Sequence, residues 1–176
     1  FNFYGRTYSN IVISTNGYVT FSTAYANQFS HYGILSTGTG LSASAGTPQN
    51  LPNTKYDSLV IMGPYHDILP GTTTMTNSPS QKIVFNVYGT APNRKWVLSF
   101  YKIPLFQCTS LIENTHQIIL HESTGIIEVY MGSRQHCTTW NEGRALIGIQ
   151  NGNRTKGKMA PGRTASDGTW GGTNMN

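Results

Sequence analysis

Few side chains in this chain can do chemistry, and their spacing limits what that chemistry is. The two cysteines, Cys108 and Cys137, flank His116-Gln117-Ile118-Ile119-Leu120-His121 and Ile126-Ile127-Glu128-Val129-Tyr130, two strand-forming arms around the turn Glu122-Ser123-Thr124-Gly125. Each cysteine lies roughly fifteen residues from that turn, and antiparallel pairing sets residues equidistant from a turn side by side. The spacing predicts a Cys108–Cys137 disulfide stapling the ends of the pair. Closing a loop of this size stabilises by roughly 3–4 kcal/mol on chain-entropy grounds, and such a bond belongs to an oxidising, extracellular setting. Two buried free thiols are the other reading.

His66-Asp67 is the pair closest to catalytic chemistry. Neighbours on a strand point to opposite faces, whereas a triad needs the carboxylate behind the imidazole and a nucleophile in front of it. The pair precedes Pro70-Gly71, so Asp67 is expected to accept backbone N–H groups at a turn. His116 and His121 are separated by an odd number of residues and face opposite ways, which argues against a shared zinc ion; His136 lies just beyond them. No D-x-D-x-D run offers a calcium loop. Glu113, Glu122, Glu128 and Glu142 lie outside any apolar pocket motif, so a glycosidase pair is not expected. The sequence therefore predicts no enzyme, no metal and no cofactor.

Lys and Arg exceed Asp and Glu by five, spread along the chain, which favours general solubility over a polyanion partner. The Gly-spaced tail carrying Arg154, Lys156, Lys158 and Arg163 has no interleaved aromatics, so no nucleic-acid partner is expected. Aromatic residues are the better binding signal. Tyr25, Tyr32, Tyr65, Trp140 and Trp170 are read in loops, where rings beside Asn and Thr suit sugars or protein contacts, or else plug the loops onto the core. Tyr65, His66, Asp67 and Trp140 form the candidate ligand-binding set.

These residues need elements to hold them. Low charge with abundant Thr, Tyr and Val points to an all-β chain, and no stretch carries a helical apolar stripe. The segment Ile11 to Phe21 reads as a hairpin with Asn16-Gly17 as a type I′ turn, pairing Ile13 with Thr20 and Val12 with Phe21. Residues 22–55 lack any period and are expected as a long surface excursion. Ser58-Leu59-Val60-Ile61-Met62 is an apolar run expected to be covered on both faces and broken by Gly63-Pro64. Further strands fall at residues 83–88, 96–101 and 145–150, and residues 151–176 form a Gly-rich surface tail with the sequon Asn153-Arg154-Thr155. The sum is one domain over residues 1–176, an antiparallel β-sandwich of about eight to ten strands with long surface loops. No apolar run reaches the ~20 residues of a membrane span, so no membrane insertion is expected. The abrupt start at Phe1, without an initiator Met, reads as a piece excised from a longer chain.

Several motifs carry a resemblance. Phe1-Asn2-Phe3-Tyr4-Gly5, Ile13-Ser14-Thr15-Asn16-Gly17-Tyr18-Val19-Thr20-Phe21, Ile61-Met62-Gly63-Pro64-Tyr65-His66-Asp67-Ile68, Phe106-Gln107-Cys108-Thr109-Ser110-Leu111 and Cys137-Thr138-Thr139-Trp140-Asn141 resemble a domain of large secreted cell-surface proteins of Bacteroidota, associated with gliding motility and type IX secretion. The F-Y-G and S-x-N-G opening and Pro64-Tyr65-His66-Asp67 are also distantly similar to nidogen-like extracellular domains, although the Trp usual in that mid-domain element is absent. The resemblance implies a β-sandwich in a secreted surface protein with no established enzymatic activity. Its expected role is structural or adhesive, within a larger and filament-forming protein, with copies of itself or other surface-protein domains as partners. A carbohydrate-binding module with glycan partners is the alternative.

Overall fold

The computed structural model describes residues 1–37, 40–41, 47–71, 80–108, 113–135, 137 and 139–167. In chain order its strands are β1 (Asn2–Phe3), β2 (Arg6–Thr7), β3 (Val12–Ile13), β4 (Tyr18–Thr20), β5 (Leu35–Thr37), β6 (Gly40–Leu41), β7 (Thr47–Pro48), β8 (Val60–Tyr65), β9 (Lys82–Tyr88), β10 (Lys95–Pro104), β11 (Glu113–His121), β12 (Ile127–Ser133), β13 (Leu146–Gln150) and β14 (Gly157–Met159). A four-stranded antiparallel sheet, ordered β12-β11-β10-β9, faces a five-stranded one, ordered β14-β13-β8-β4-β3. The all-β sandwich is as the sequence predicts. Very short strands, including the β1–β2 pair and the β5–β7 sheet, raise the count beyond the expected ten.

Period-two patterning explains the inner core. Along β11 burial alternates strictly, with Asn114, His116, Ile118 and Leu120 inward. Leu98 and Phe100 of β10 join them against Val19, Phe21 and Ile61 of the other sheet. In β8 every residue is buried, as the apolar run predicts. Val60, Met62 and Tyr65 turn away from the inner core and pack with Tyr18, Leu146, Ile34, Leu51, Tyr56 and Ala165. Parts of the 22–55 excursion and of the tail are thus an outer layer over the five-stranded sheet, where the sequence predicts surface loops. Hydrogen bonds hold that irregular layer where periodicity cannot. Arg154 donates from Nε to the Tyr56 carbonyl (2.8 Å) and from Nη2 to Tyr25 Oη (2.8 Å), so this tail cation clasps the layer. Trp170 and His136 lie outside the described residues.

Two expectations need correction. Gly63-Pro64 does not end β8, which continues to Tyr65. The β8–β13 register slips between the pairs Met62–Gly148 and Tyr65–Leu146, and a bulge is one of the few places where a sheet tolerates a residue without an N–H. The β3–β4 hairpin is also one residue out: Val12 faces Thr20 and Ile13 faces Val19. Its turn has three residues, Thr15 to Gly17, closed by the Ser14 N–H donating to the Tyr18 carbonyl (2.9 Å). Gly17 has φ +81° while Asn16 is not in the left-handed region, so a type I′ turn, which needs both there, does not form.

The disulfide forms between Cys108 and Cys137, with Cα atoms 6.1 Å apart. The hairpin register explains it: Leu120 faces Ile127, and Thr115 faces Ser133 beyond a bulge, so the strands deliver the flanking segments to one another. Cys137 is buried in the inner core, with Cys108 against it. Replacing both cysteines by alanine is expected to lower unfolding free energy by roughly 3–4 kcal/mol, read as a lower urea midpoint. An unchanged midpoint would show that the bond constrains nothing in the unfolded chain. Among the described residues, no helix is long and apolar enough to cross a membrane.

Candidate functional site

The turn after β3 is where three parts of the chain are tied together. Ser14 Oγ accepts the Asn16 N–H (3.0 Å) and shares a 2.6 Å hydrogen bond with Ser30 Oγ. The buried Asn16 side chain donates to the His31 carbonyl (2.8 Å) and accepts the Ile68 N–H (3.2 Å). Backbone carbonyls of Asn16 and Gly17 accept the N–H groups of His66 (3.2 Å) and Gly63 (3.1 Å). One side-chain amide and two carbonyls therefore fix the excursion, the hairpin and the end of β8 in one place. Asn16 is the residue whose role local reasoning misses: its N-G signal reads as turn chemistry, and its use here is long-range.

A cleft of about 530 Å³ opens beside this turn, lined by Asn16, Phe29, Tyr32, Asp67, Phe106 and Trp140 among others. That volume lies within the range of small-molecule sites. Trp140 links its polar and aromatic sides. Its indole N–H donates to Asp67 Oδ2 at 2.6 Å. Tyr32 stacks on it at 6.4 Å, and Phe106 meets it edge-on at 5.1 Å. Phe29 abuts Tyr32 edge-on at 6.0 Å and is 74 % exposed, a large apolar ring left in solvent at the rim. Burial pushes the Asp67 carboxyl up to about 6, and the Trp140 N–H offsets part of that rise. The cleft thus pairs an aromatic bank with a carboxylate that changes charge in the mildly acidic range.

Behind Asp67 the chemistry closes off. His66 is buried, edge-on to the His116 ring at 5.5 Å, and His116 in turn stacks on Phe100 at 4.4 Å. Arg134, also buried, donates from Nε to His66 Nδ1 (3.3 Å) and from Nη2 to the carbonyls of Gly143 (2.8 Å) and Arg144 (3.1 Å). A ring nitrogen that accepts from a guanidinium belongs to a neutral imidazole. Burial, then the Arg134 charge, holds His66 well below the ordinary histidine range and brings His116 down to about 3. The carbonyls reach Arg134 from a turn at Asn141–Gly143 whose three residues all have positive φ, 46°, 51° and 70°. Left-handed backbone at Glu142 is uncommon for a residue of that type and stores local strain.

The predicted site residues separate accordingly. Asp67 and Trp140 are together, in the cleft. Asp67 departs from its expected role, because its carboxylate takes the indole N–H; the carboxamide of Asn16 is what accepts a backbone N–H at that turn. Tyr65 lies on the opposite face of its strand, buried in the outer core with its hydroxyl donating to the Gly33 carbonyl (2.8 Å). It does not line the cleft: β8 ends at Tyr65, and Asp67 lies beyond the strand. His66 lines a cavity of about 10 Å³ with Arg134 and Cys137 among others, too small for more than a water. His116 and His121 face apart as expected, and His121 Nε2 pairs with Glu128 Oε2 at 2.6 Å. Among the described residues, no group of three His, Cys, Asp or Glu converges as a metal site. Phe29 falls in the aperiodic 22–55 stretch and Phe106 in a motif that carries the resemblance; Arg134 gives no local signal.

A family model described as NIDO related matches residues 1–171 of the chain. Neither a curated protein nor a solved structure gives a match.

Proposed function

The chain belongs to the nidogen-related domain family, and from that premise we propose that it is a non-catalytic contact module of a larger cell-surface protein, structural or adhesive in role. The family and the Cys108–Cys137 disulfide together point to an extracellular protein. The observation that carries the contact role is the cleft around Trp140, lined by aromatic rings and, among the described residues, by Asp67 as its single carboxylate. Its neighbour His66 is buried behind it. The motif likeness to Bacteroidota surface proteins fits the same reading, with gliding-associated, type IX-secreted chains as its setting.

A second reading is favoured by the same cleft: a carbohydrate-binding module, with sugar rings stacking on Trp140 or Phe29 and a hydroxyl donating to Asp67. Aromatic rings supply large apolar contact with little conformational entropy to lose. Phe29→Ala separates site from fold, because the ring is 74 % exposed. It is expected to weaken binding in the cleft at least ~10-fold while changing unfolding free energy by less than about 0.5 kcal/mol. Glycan-array binding that Phe29→Ala abolishes would establish the second reading. Binding to extracellular proteins but not glycans, lost in the same variant, would support the first. Any binding unaffected by Phe29→Ala and Trp140→Ala would remove the cleft from both.

A further inference from the structure

Strand β9 is the outer strand of the four-stranded sheet and, among the described residues, pairs with β10 alone. Natural proteins usually blunt such an edge with short strands, prolines, bulges or inward charges. β9 runs Lys82-Ile83-Val84-Phe85-Asn86-Val87-Tyr88 in unbroken register with β10 and carries none of these devices except a terminal lysine. Its apolar side chains are exposed on both faces: Val84 50 %, Phe85 62 %, Val87 48 % and Tyr88 56 %. Phe85 and Val87 sit opposite Leu98 and Trp96, on the face turned toward the other sheet, yet solvent meets them there.

One hydrogen bond reveals which backbone groups are free. Asn86 Oδ1 accepts the N–H of Val87 at 2.9 Å, so that N–H points away from β10. Alternation in an antiparallel ladder then turns the N–H and C=O groups of Ile83, Phe85 and Val87 outward. The strand is moreover its own antiparallel complement. Centred on Phe85, a self-pairing sets Ile83 opposite Val87, Phe85 opposite Phe85 and Val84 opposite Asn86. It places the single charge, Lys82, opposite the Tyr88 ring rather than a second lysine, an attractive rather than repulsive juxtaposition. The outward residues are the ones that meet as hydrogen-bonded pairs in this register, giving about six backbone hydrogen bonds. Shifting the register by two residues in either direction leaves two residues of the strand unpaired.

We infer that β9 is a self-association edge, through which two copies of this chain join antiparallel about a two-fold axis at Phe85 to make one continuous eight-stranded sheet. The inference deepens the contact-module reading by naming a partner, a second copy, at a surface separate from the Trp140 cleft. The apolar area that four side chains offer falls short of the ~800 Å² per partner of a standard interface. Association is therefore weak between free copies and becomes effective where copies are held close, as effective concentration dictates.

Sedimentation equilibrium on the intact chain tests this, from micromolar to millimolar concentration. The mass is expected to climb from 19.3 kDa toward twice that value, and Phe85→Lys, which sets two lysines face to face on the axis, is expected to stay monomeric with an unchanged thermal midpoint. Phe85→Cys is expected to cross-link into dimers under mild oxidation at least ~10-fold faster than Tyr88→Cys, because hydrogen-bonded partners have Cα atoms about 5.5 Å apart. A monomer throughout the concentration range, dimerisation that survives Phe85→Lys, or equal cross-linking at positions 85 and 88 would overturn the inference. Cleft binding scored with Phe29→Ala is read independently, so failure at β9 leaves the contact-module reading standing.

Discussion

Gly17→Ala is expected to destabilise the protein by about 4 kcal/mol or more, the range reserved for named structural conflicts. Two effects add. At φ +81° an alanine pays the left-handed penalty of about 1–2 kcal/mol. Its Cβ would also stand 2.1 Å from the Pro64 carbonyl oxygen, a backbone atom with no freedom to swing aside. Relieving that clash means lifting the turn off β8, which breaks the Gly63 N–H to Gly17 carbonyl bond and the His66 N–H to Asn16 carbonyl bond and loosens the cleft wall. Gly125→Ala is the control, because its φ is +68° and nothing lies within 4 Å of the added Cβ; it is expected to cost only the conformational part, about 1–2 kcal/mol. Urea unfolding of both variants reads the difference, and equal losses would show that the contact with Pro64 carries no weight.

Acid is the second large lever. The unfolded chain binds a proton on each of His66 and His116 below about pH 6.5, whereas the folded chain keeps both rings neutral, His116 down to about pH 3. Both folded values are depressed, so the stability they contribute is present above 6.5 and is lost as pH falls. Asp67 works in the opposite sense: its folded value, about 6, exceeds the unfolded 3.8, so between those limits the folded state holds the extra proton. Two protons against one leave the unfolded state ahead by one. Stability is expected to fall by roughly 1–2 kcal/mol per pH unit between pH 6 and 4. His116→Phe, which keeps a ring against Phe100, is expected to flatten this limb, and Asp67→Asn to steepen it. Arg134 is common to both histidines, so its charge deepens the effect. Urea midpoints from pH 7 to 4 give the slopes; a level profile in the parent chain would contradict the buried neutral histidines.

Much of the architecture was legible because β-structure writes itself at short range. Alternation along β11 announced that His116 and His121 face opposite ways, and the distances of Cys108 and Cys137 from one turn announced their bond. The run Ser58 to Met62 announced a strand covered on both faces, which the structure places at Val60–Tyr65. The site was legible in half. Asp67 and Trp140 carried a usable signal, a carboxylate and a loop aromatic, but nothing near either residue in the chain says that one donates to the other across 73 positions.

What the amino-acid sequence determined alone was the longer core strands, the separation of their two faces and the disulfide, since each depends on neighbours two residues away or on symmetry about a single turn. Tertiary structure alone decided the register of the β3–β4 turn, the parting of Tyr65 from Asp67, the burial of His66 behind Arg134, and the conversion of an aperiodic excursion into an outer layer. Each of these is settled by a hydrogen bond or a steric contact between distant segments, such as Asn16 with Ile68 or Arg154 with Tyr56, whose strength comes from being excluded from water once the chain has closed around them.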